Sequence, residues 1–100
     1  MAKPRFAFLL LKEHPYGREM LKQLLSEDFI PDIIIEEDSD IGTEEREKFL
    51  KRIEGYPIAP EISTQIDEKE ISHITVSIHN SEKVMPHLEG LNLDLIVFGG

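Results

Sequence analysis

The stretch "RFAFLLLKEHPYGREMLKQLL", residues 5–25, contains the transition that decides the fold. Residues 5–11, which are apolar after Arg5, form a short run without clean alternation, which predicts a β-strand covered on both faces. A turn "KEHPYG" follows, and methionine and leucine then recur at helical spacing over residues 20–25, with charged residues on the other side. We therefore predict a buried strand followed by an amphipathic helix, over residues 17–28, that packs on a sheet.

Three further stretches have the character of strands. "PDIIIEED" begins at Pro31 and contains three successive isoleucines, which are strongly β-prone, between polar residues. "HITVSI", residues 73–78, alternates apolar and polar side chains, which predicts a strand with one drier face at the edge of a sheet. "LIVF", residues 95–98, is a branched apolar run that is typical of a strand buried on both faces.

Two more helices are predicted between these strands. Thr43 is the expected N-cap of the first, which should run to about Ile53, because its hydroxyl can accept from the free amides of the first turn. Asn80 or Ser81 should cap the second, over residues 82–89, which an internal proline should shorten or bend. No regular structure is predicted for residues 56–72, which contain two prolines and a charged run.

The alternation of strands and helices predicts one α/β domain spanning residues 1–100. Helical crossovers join parallel strands, and right-handed crossovers place helices on both faces of the sheet. We expect three layers around a parallel four-stranded sheet, a Rossmann-like half with strand order 3-2-1-4. Its site should lie beyond the carboxyl ends of strands one and four, at the loops "LKEHPYG" and "FGG".

The composition argues against several classes of partner. Eleven basic and twenty acidic residues give a net charge of -9, which repels phosphate backbones and anionic lipid, so neither nucleic acid nor a membrane is an expected partner. No stretch approaches the roughly 20 apolar residues that span a bilayer. The chain contains no cysteine, which excludes disulfides and thiolate chemistry and fits a cytoplasmic protein.

Common catalytic and cofactor motifs are missing from the sequence. Glu36 or Asp38, after the second strand, could hold a ribose hydroxyl, but the glycine-rich dinucleotide fingerprint is replaced by "KEHPYG". The four histidines form no H-x-x-x-H pair, so no metal site is predicted. No serine lies in a nucleophile elbow, and we assign no catalytic residue.

The loop after strand one and the residue before the last helix remain as candidate binding positions. Lys12 and His14 lie where a phosphate or carboxylate could meet a helix amino terminus. The alternative is an ordinary surface turn in which Tyr16 covers the core. Asn80 is either a helix cap or a ligand-binding side chain.

Two segments resemble the folate-dependent formyltransferases, which include methionyl-tRNA, glycinamide-ribonucleotide and sugar N-formyltransferases. "NSEKVMPHLEGLNLDLIVFGG", residues 80–100, looks like the stretch in which an asparagine-led helix precedes "DLIV" and a glycine-bearing loop. The opening "RFAFLLLKEHPYGREMLKQLL" is similar to the first strand and helix of that family. The resemblance covers most of the chain, as an amino-terminal Rossmann-like part.

This resemblance implies a site for 10-formyltetrahydrofolate that begins after strand four, at Gly99 and Gly100. It also implies that the loop after strand one, with Lys12, His14 and Tyr16, faces an amine acceptor, and we count Asn80 with these substrate-binding positions. The "KEHPYG" loop departs from the small, glycine-containing loop of some members, so the acceptor stays open.

The family's Asn-x-His-Pro segment and its later aspartate have no counterpart in residues 1–100. The expectation is an amino-terminal formyltransferase subdomain, truncated after the fourth strand and catalytically incomplete. The bare flank of that strand predicts self-association. The alternative is a stand-alone small-molecule-binding or regulatory α/β module that never had catalytic residues.

Overall fold

The sheet of this protein is parallel throughout, with strand order β3-β2-β1-β4, as the sequence predicted. The structure, a computed structural model, describes residues 3–67, 69, 71–79 and 81–99. Its elements in chain order are β1 (Phe6–Leu11), α1 (Pro15–Ser26), β2 (Ile33–Glu37), α2 (Asp40–Arg52), α3 (Ile62–Gln65), β3 (Ser72–Val76), α4 (Ser81–Leu88) and β4 (Leu95–Phe98).

Two apolar clusters cover the two faces of the sheet and make three layers. Alternate side chains of the central strand point to opposite faces, so Phe8 and Leu9 belong to different clusters. One cluster joins β1 and β2 to α1 and α3, through Leu21 and Ile62. The other joins them to α4, through residues that include Val84. The predicted burial of β1 on both faces is confirmed, since residues 6–10 are all buried.

Helix α1 begins two residues earlier than the spacing predicted, because His14 caps it. The Nδ1 atom of His14 accepts from the backbone N–H of Tyr16 at 3.1 Å, and Pro15 occupies the first helical position, where no N–H is needed. The helix ends at Ser26, and Asp28 adopts a left-handed conformation with φ of 62°. The cap at His14 and the chain reversal after Ser26 therefore determine where α1 begins and ends.

The predicted N-cap of α2, Thr43, is wrong. Ser39 is the cap: its backbone is extended and its Oγ accepts from the N–H of Gly42 at 3.0 Å. Thr43 lies inside the helix, with its N–H bonded to the carbonyl of Ser39 at 2.9 Å. Both residue types are good caps, and the extended backbone after β2 decides between them.

The irregular structure predicted for residues 56–72 is partly wrong. The short helix α3 lies there, and β3 already begins at Ser72. Ile62 opens this helix and is completely buried in the cluster beneath α1, so tertiary burial rather than local pattern fixes it. Helix α4 has only eight residues with Pro86 inside, in line with the short helix predicted there.

Strand β4 is not buried on both faces, contrary to the prediction. Leu95, Ile96 and Phe98 are 43%, 42% and 67% exposed. The strand pairs with β1 along one edge, and α4 covers only part of its side. The predicted edge position of β3 is confirmed by the strand order. Within the described residues, no helix has both the length and the apolar character needed to cross a membrane.

Candidate functional site

The loops after β1 and β4 meet at two glycines, at the carboxyl edge of the sheet. Gly99 continues the pairing of β4 by donating its N–H to the carbonyl of Leu9 at 2.7 Å. A Cβ atom added to Gly17, in the first turn of α1, would lie 2.9 Å from the carbonyl oxygen of Gly99 and 2.5 Å from Cδ1 of Leu10. Only a residue without a side chain lets α1 approach this loop so closely.

Gly99 passes directly over a core side chain. A Cβ atom at this position would lie 2.4 Å from Cζ of Phe8, so the backbone of Gly99 lies against the end of a buried ring. The structure thus places one residue of the implied folate segment beside the start of α1. Gly100, the other implied folate residue, and Asn80 lie outside the described residues.

Lys12 turns toward the loop after β2, on the side of β1 away from β4. Its Nζ atom lies 3.4 Å from Oδ2 of Asp38, and about half of its side chain is exposed. The guanidinium of Arg46 donates to the carbonyl of Lys12 at 3.0 Å, which ties this loop to α2. An exposed pair of this kind adds little stability, so Lys12 retains freedom to contact an anion.

His14 is a buried helix cap as well as a candidate ligand-binding residue. Its side chain is 7% exposed and its ring centroid lies 4.9 Å from that of Phe49 on α2. Burial, the largest influence, lowers the pKa of His14; Glu45 opposes this shift and Arg46 adds to it. A neutral ring is required here, because Nδ1 accepts the N–H of Tyr16 and cannot do so when protonated.

The surface-turn alternative predicted that Tyr16 covers the core, and this prediction is wrong. Its side chain is 57% exposed, and its ring meets that of Phe49 edge-on with centroids 5.5 Å apart. Both rings line a groove of about 500 Å³ between α1, α2 and the segment that follows α2. His14 and Tyr16 therefore meet on Phe49, whereas Lys12 and Gly99 lie elsewhere along the same edge.

A buried ionic network that was not predicted lies below this edge. Glu36, at the end of β2, is 2% exposed, and one of its oxygens bonds to Nε2 of His73 on β3. The other, Oε2, accepts from the backbone N–H of Glu13 at 2.8 Å. The hydrogen bond to Glu36 raises the pKa of His73, burial opposes this shift, and the charges of Glu36 and Glu13 reinforce it.

Glu13 extends this network to α1 and α3. Its backbone is left-handed, with φ of 51°, which is uncommon for a residue with a side chain. Its carboxylate accepts from the N–H of Ile62 at 2.9 Å and lies 3.3 Å from Nε of Arg18. These bonds tie the loop after β1 to the end of β2, to α1 and to the start of α3.

Glu37 makes a second set of contacts. Its Oε1 accepts from the backbone N–H of His79 at 2.8 Å, and its Oε2 accepts from the hydroxyl of Ser39 at 2.8 Å. The Nε2 atom of His79 lies 2.9 Å from the carbonyl oxygen of Ile35, which it meets as a donor. These bonds tie the loops after β2 and β3 to each other and to β2.

A polar residue at the end of an isoleucine run was the available signal for the Glu36 network. The partner, His73, lies 37 residues away, so no local pattern identifies it. Among the described residues, no group of three or more histidine, cysteine or acidic side chains is arranged to hold a metal ion.

Comparison of the chain with protein-family models, with curated proteins and with solved structures found no match.

Proposed function

We propose that this chain is the amino-terminal subdomain of a formyltransferase-like enzyme, which transfers a formyl group from 10-formyltetrahydrofolate to an amine. The observation that carries the proposal is the contact between the two loops, where the carbonyl oxygen of Gly99 lies against Gly17. In parallel sheets, ligands bind beyond the carboxyl ends of the strands, at the point where neighbouring strands lead to opposite faces.

The sequence resemblance assigns roles to the same two loops. The segment similar to the formyltransferases, residues 80–100, ends in the loop after β4 and implies the folate side of the cleft. The opening segment leads into the loop of Lys12, His14 and Tyr16, which implies the acceptor side. A fold alone does not specify a function, so the proposal depends on this agreement between motif and position.

The proposed role is binding rather than complete catalysis. Attack of an amine on a formyl carbon builds an oxyanion and releases a proton, which requires donors and a base near the carbonyl. The asparagine, histidine and aspartate that serve this purpose in the family have no counterpart in residues 1–100. We expect no formyl transfer by this chain to any amine; turnover above that of a heat-inactivated control would contradict this expectation.

Calorimetric titration tests the folate proposal. The chain is titrated with 10-formyltetrahydrofolate, and in parallel with NADH as a ligand that also binds at parallel sheets. We expect saturable binding of the folate and none of NADH, because the glycine fingerprint for a pyrophosphate is missing. Absence of saturable folate binding, or equal binding of NADH, would overturn the proposal.

The groove beside α2 favours a second candidate, a small-molecule-binding or regulatory α/β module without catalysis. The groove has a volume of about 500 Å³, and Gly99 is not among the residues that line it. This volume lies in the range of about 300–1,000 Å³ that is usual for small-molecule sites. A ligand that binds there, in a chain that does not bind folate, would favour this candidate over the first.

A further inference from the structure

The α1–α2 groove is bounded by one face of α1, the end of α2 and the segment of residues 56–59. Its lining residues on α1 recur at helical spacing, and they are faced by Phe49 of α2 and by Ile53, which follows α2 directly. Pro57, in the third wall, limits the backbone freedom of that wall. The groove is thus an open, fixed feature of the surface, formed by three separate segments.

Three aromatic side chains line this groove. The chain contains only two tyrosines, and both line it together with Phe49. Tyr16 and Tyr56 are 57% and 70% exposed, so their rings are open to a ligand. Neither hydroxyl has a hydrogen bond within the part of the chain that the structure describes. Rings of this kind bind a flat apolar group well.

Two opposite charges lie on the α1 side of the groove. Glu19 and Lys22 are three residues apart on α1, at a spacing that often gives an ion pair. They make none with each other, and Lys22 has no carboxylate partner among the described residues. Oε1 of Glu19 accepts from the side-chain amide of Gln23, at 3.1 Å. One carboxylate and one ammonium are therefore both available beside the aromatic surface.

We propose that the α1–α2 groove binds a small aromatic zwitterion, a molecule with a ring, an ammonium and a carboxylate, such as a free aromatic amino acid. The ring lies against Tyr16, Phe49 and Tyr56. The ammonium pairs with Glu19 and the carboxylate with Lys22, so both charges are complemented. This assignment does not depend on formyl transfer, since the folate cleft uses Gly99 and the groove does not.

Tyrosine fluorescence provides the direct test. The chain has no tryptophan, and both tyrosines line the groove, so their emission reports on it alone. The probe is L-phenylalanine, compared with 2-phenylethylamine, which lacks the carboxylate, and 3-phenylpropionate, which lacks the ammonium. We expect L-phenylalanine to bind about tenfold more tightly than either single-charge analogue.

Three variants assign the contacts. Lys22→Met should weaken L-phenylalanine to the affinity of 2-phenylethylamine, and Glu19→Gln should weaken it to that of 3-phenylpropionate. Tyr56→Ala changes a largely exposed side chain, so it should weaken binding while leaving the free energy of unfolding intact. Lys51→Met, at an exposed lysine of α2 that does not line the groove, is the matched control and should bind as the parent does.

Several outcomes would overturn the proposal. Equal affinity for the three probes would mean that the charges play no part, and tighter binding of the amine or the acid would assign a singly charged ligand. If tyrosine emission shows no saturable change, L-phenylalanine does not bind in the groove and the proposal is wrong. The folate titration is a separate measurement at a different part of the surface. Failure of the folate proposal therefore does not contradict the groove proposal, and failure of the groove proposal does not contradict the folate proposal.

Discussion

His73 on the edge strand β3 hydrogen-bonds through Nε2 to the buried carboxylate of Glu36 on β2. The same carboxylate receives the N–H of Glu13, whose own side chain receives the N–H of Ile62. The pair of His73 and Glu36 therefore links the edge of the sheet to the loop after β1 and, through Glu13, to α3. A buried carboxylate is costly without such partners, so the network is a strong determinant of this region.

Replacing His73 by leucine should destabilise the protein. Glu36 would keep the N–H of Glu13 but lose its other partner, and an under-satisfied buried carboxylate costs about 1–3 kcal/mol. His73→Gln retains a side-chain donor and should recover part of this loss. Urea unfolding checks both variants, and a His73→Leu protein as stable as the parent would contradict the importance of the pair.

The same pair should make stability depend on pH. The hydrogen bond to Glu36 raises the pKa of His73 above 6.5, so its contribution is fully present below about pH 6.5 and is lost as pH rises through the folded pKa. The His73→Gln protein should not show this loss of stability as pH rises. His87→Gln, at an exposed histidine of α4, is the control and should retain it. An unchanged pH profile in His73→Gln would refute the assignment.

His14 should have the opposite pH dependence. Burial lowers its pKa below 6.5, so its contribution is present above about pH 6.5 and is lost as pH falls through the folded pKa, when Nδ1 can no longer accept the N–H of Tyr16. His14→Asn keeps a cap that does not titrate. His14→Ala loses the cap, at a cost of about 0.5–2 kcal/mol. Unfolding curves at several acidic pH values distinguish the two variants; a parent-like acid sensitivity in His14→Asn would exclude this mechanism.

Gly17→Ala should destabilise α1, although alanine is intrinsically better in helices by about 1 kcal/mol. The new methyl group would lie 2.5 Å from Cδ1 of Leu10 and 2.9 Å from the carbonyl oxygen of Gly99. Overpacking of this kind costs about 1–3 kcal/mol. Thr43→Ala, inside α2, measures the gain from propensity alone. A stabilised Gly17→Ala protein would show that the two loops do not make this contact.

Strand β4 should mediate self-association. It pairs with β1 on one side, and Ile96 and Phe98 are largely exposed, which is the arrangement of an unprotected edge. Ile96→Lys should shift the association to about tenfold higher concentration. Ile41→Lys, at a residue of α2 that is 73% exposed, is the matched control. Sedimentation velocity measures this, and a parent chain that stays monomeric over a wide dilution range would contradict it.

The strand order and the central burial could be predicted from sequence because they follow from local patterns. Three successive isoleucines and the run of residues 5–11 predicted buried strands, and β1 and β2 are buried. Crossover rules then leave few arrangements, and the loops after β1 and β4 must meet. The close approach of Gly17 and Gly99 at the carboxyl ends of β1 and β4 was predictable for the same reason.

The rest depended on partners far away in the chain. Glu36 and His73 are 37 residues apart, and α3 exists because Ile62 reaches the core. The apolar run of β4 predicted burial, yet its exposure is decided by what lies beside it, which its own residues do not encode. Threonine and serine are both good N-cap residues, so Thr43 and Ser39 could not be distinguished by residue type. The extended backbone after β2 makes Ser39 the cap.

Mapping the folate contact by NMR tests the central claim most directly. Amide shifts of the chain are followed during titration with 10-formyltetrahydrofolate. We predict that the perturbed amides cluster at Gly17 and Gly99, with residues 12–16 affected less and those of β3 unchanged. Shifts confined to the α1–α2 groove, to the exposed side of β4, or absent altogether would contradict a folate cleft between β1 and β4.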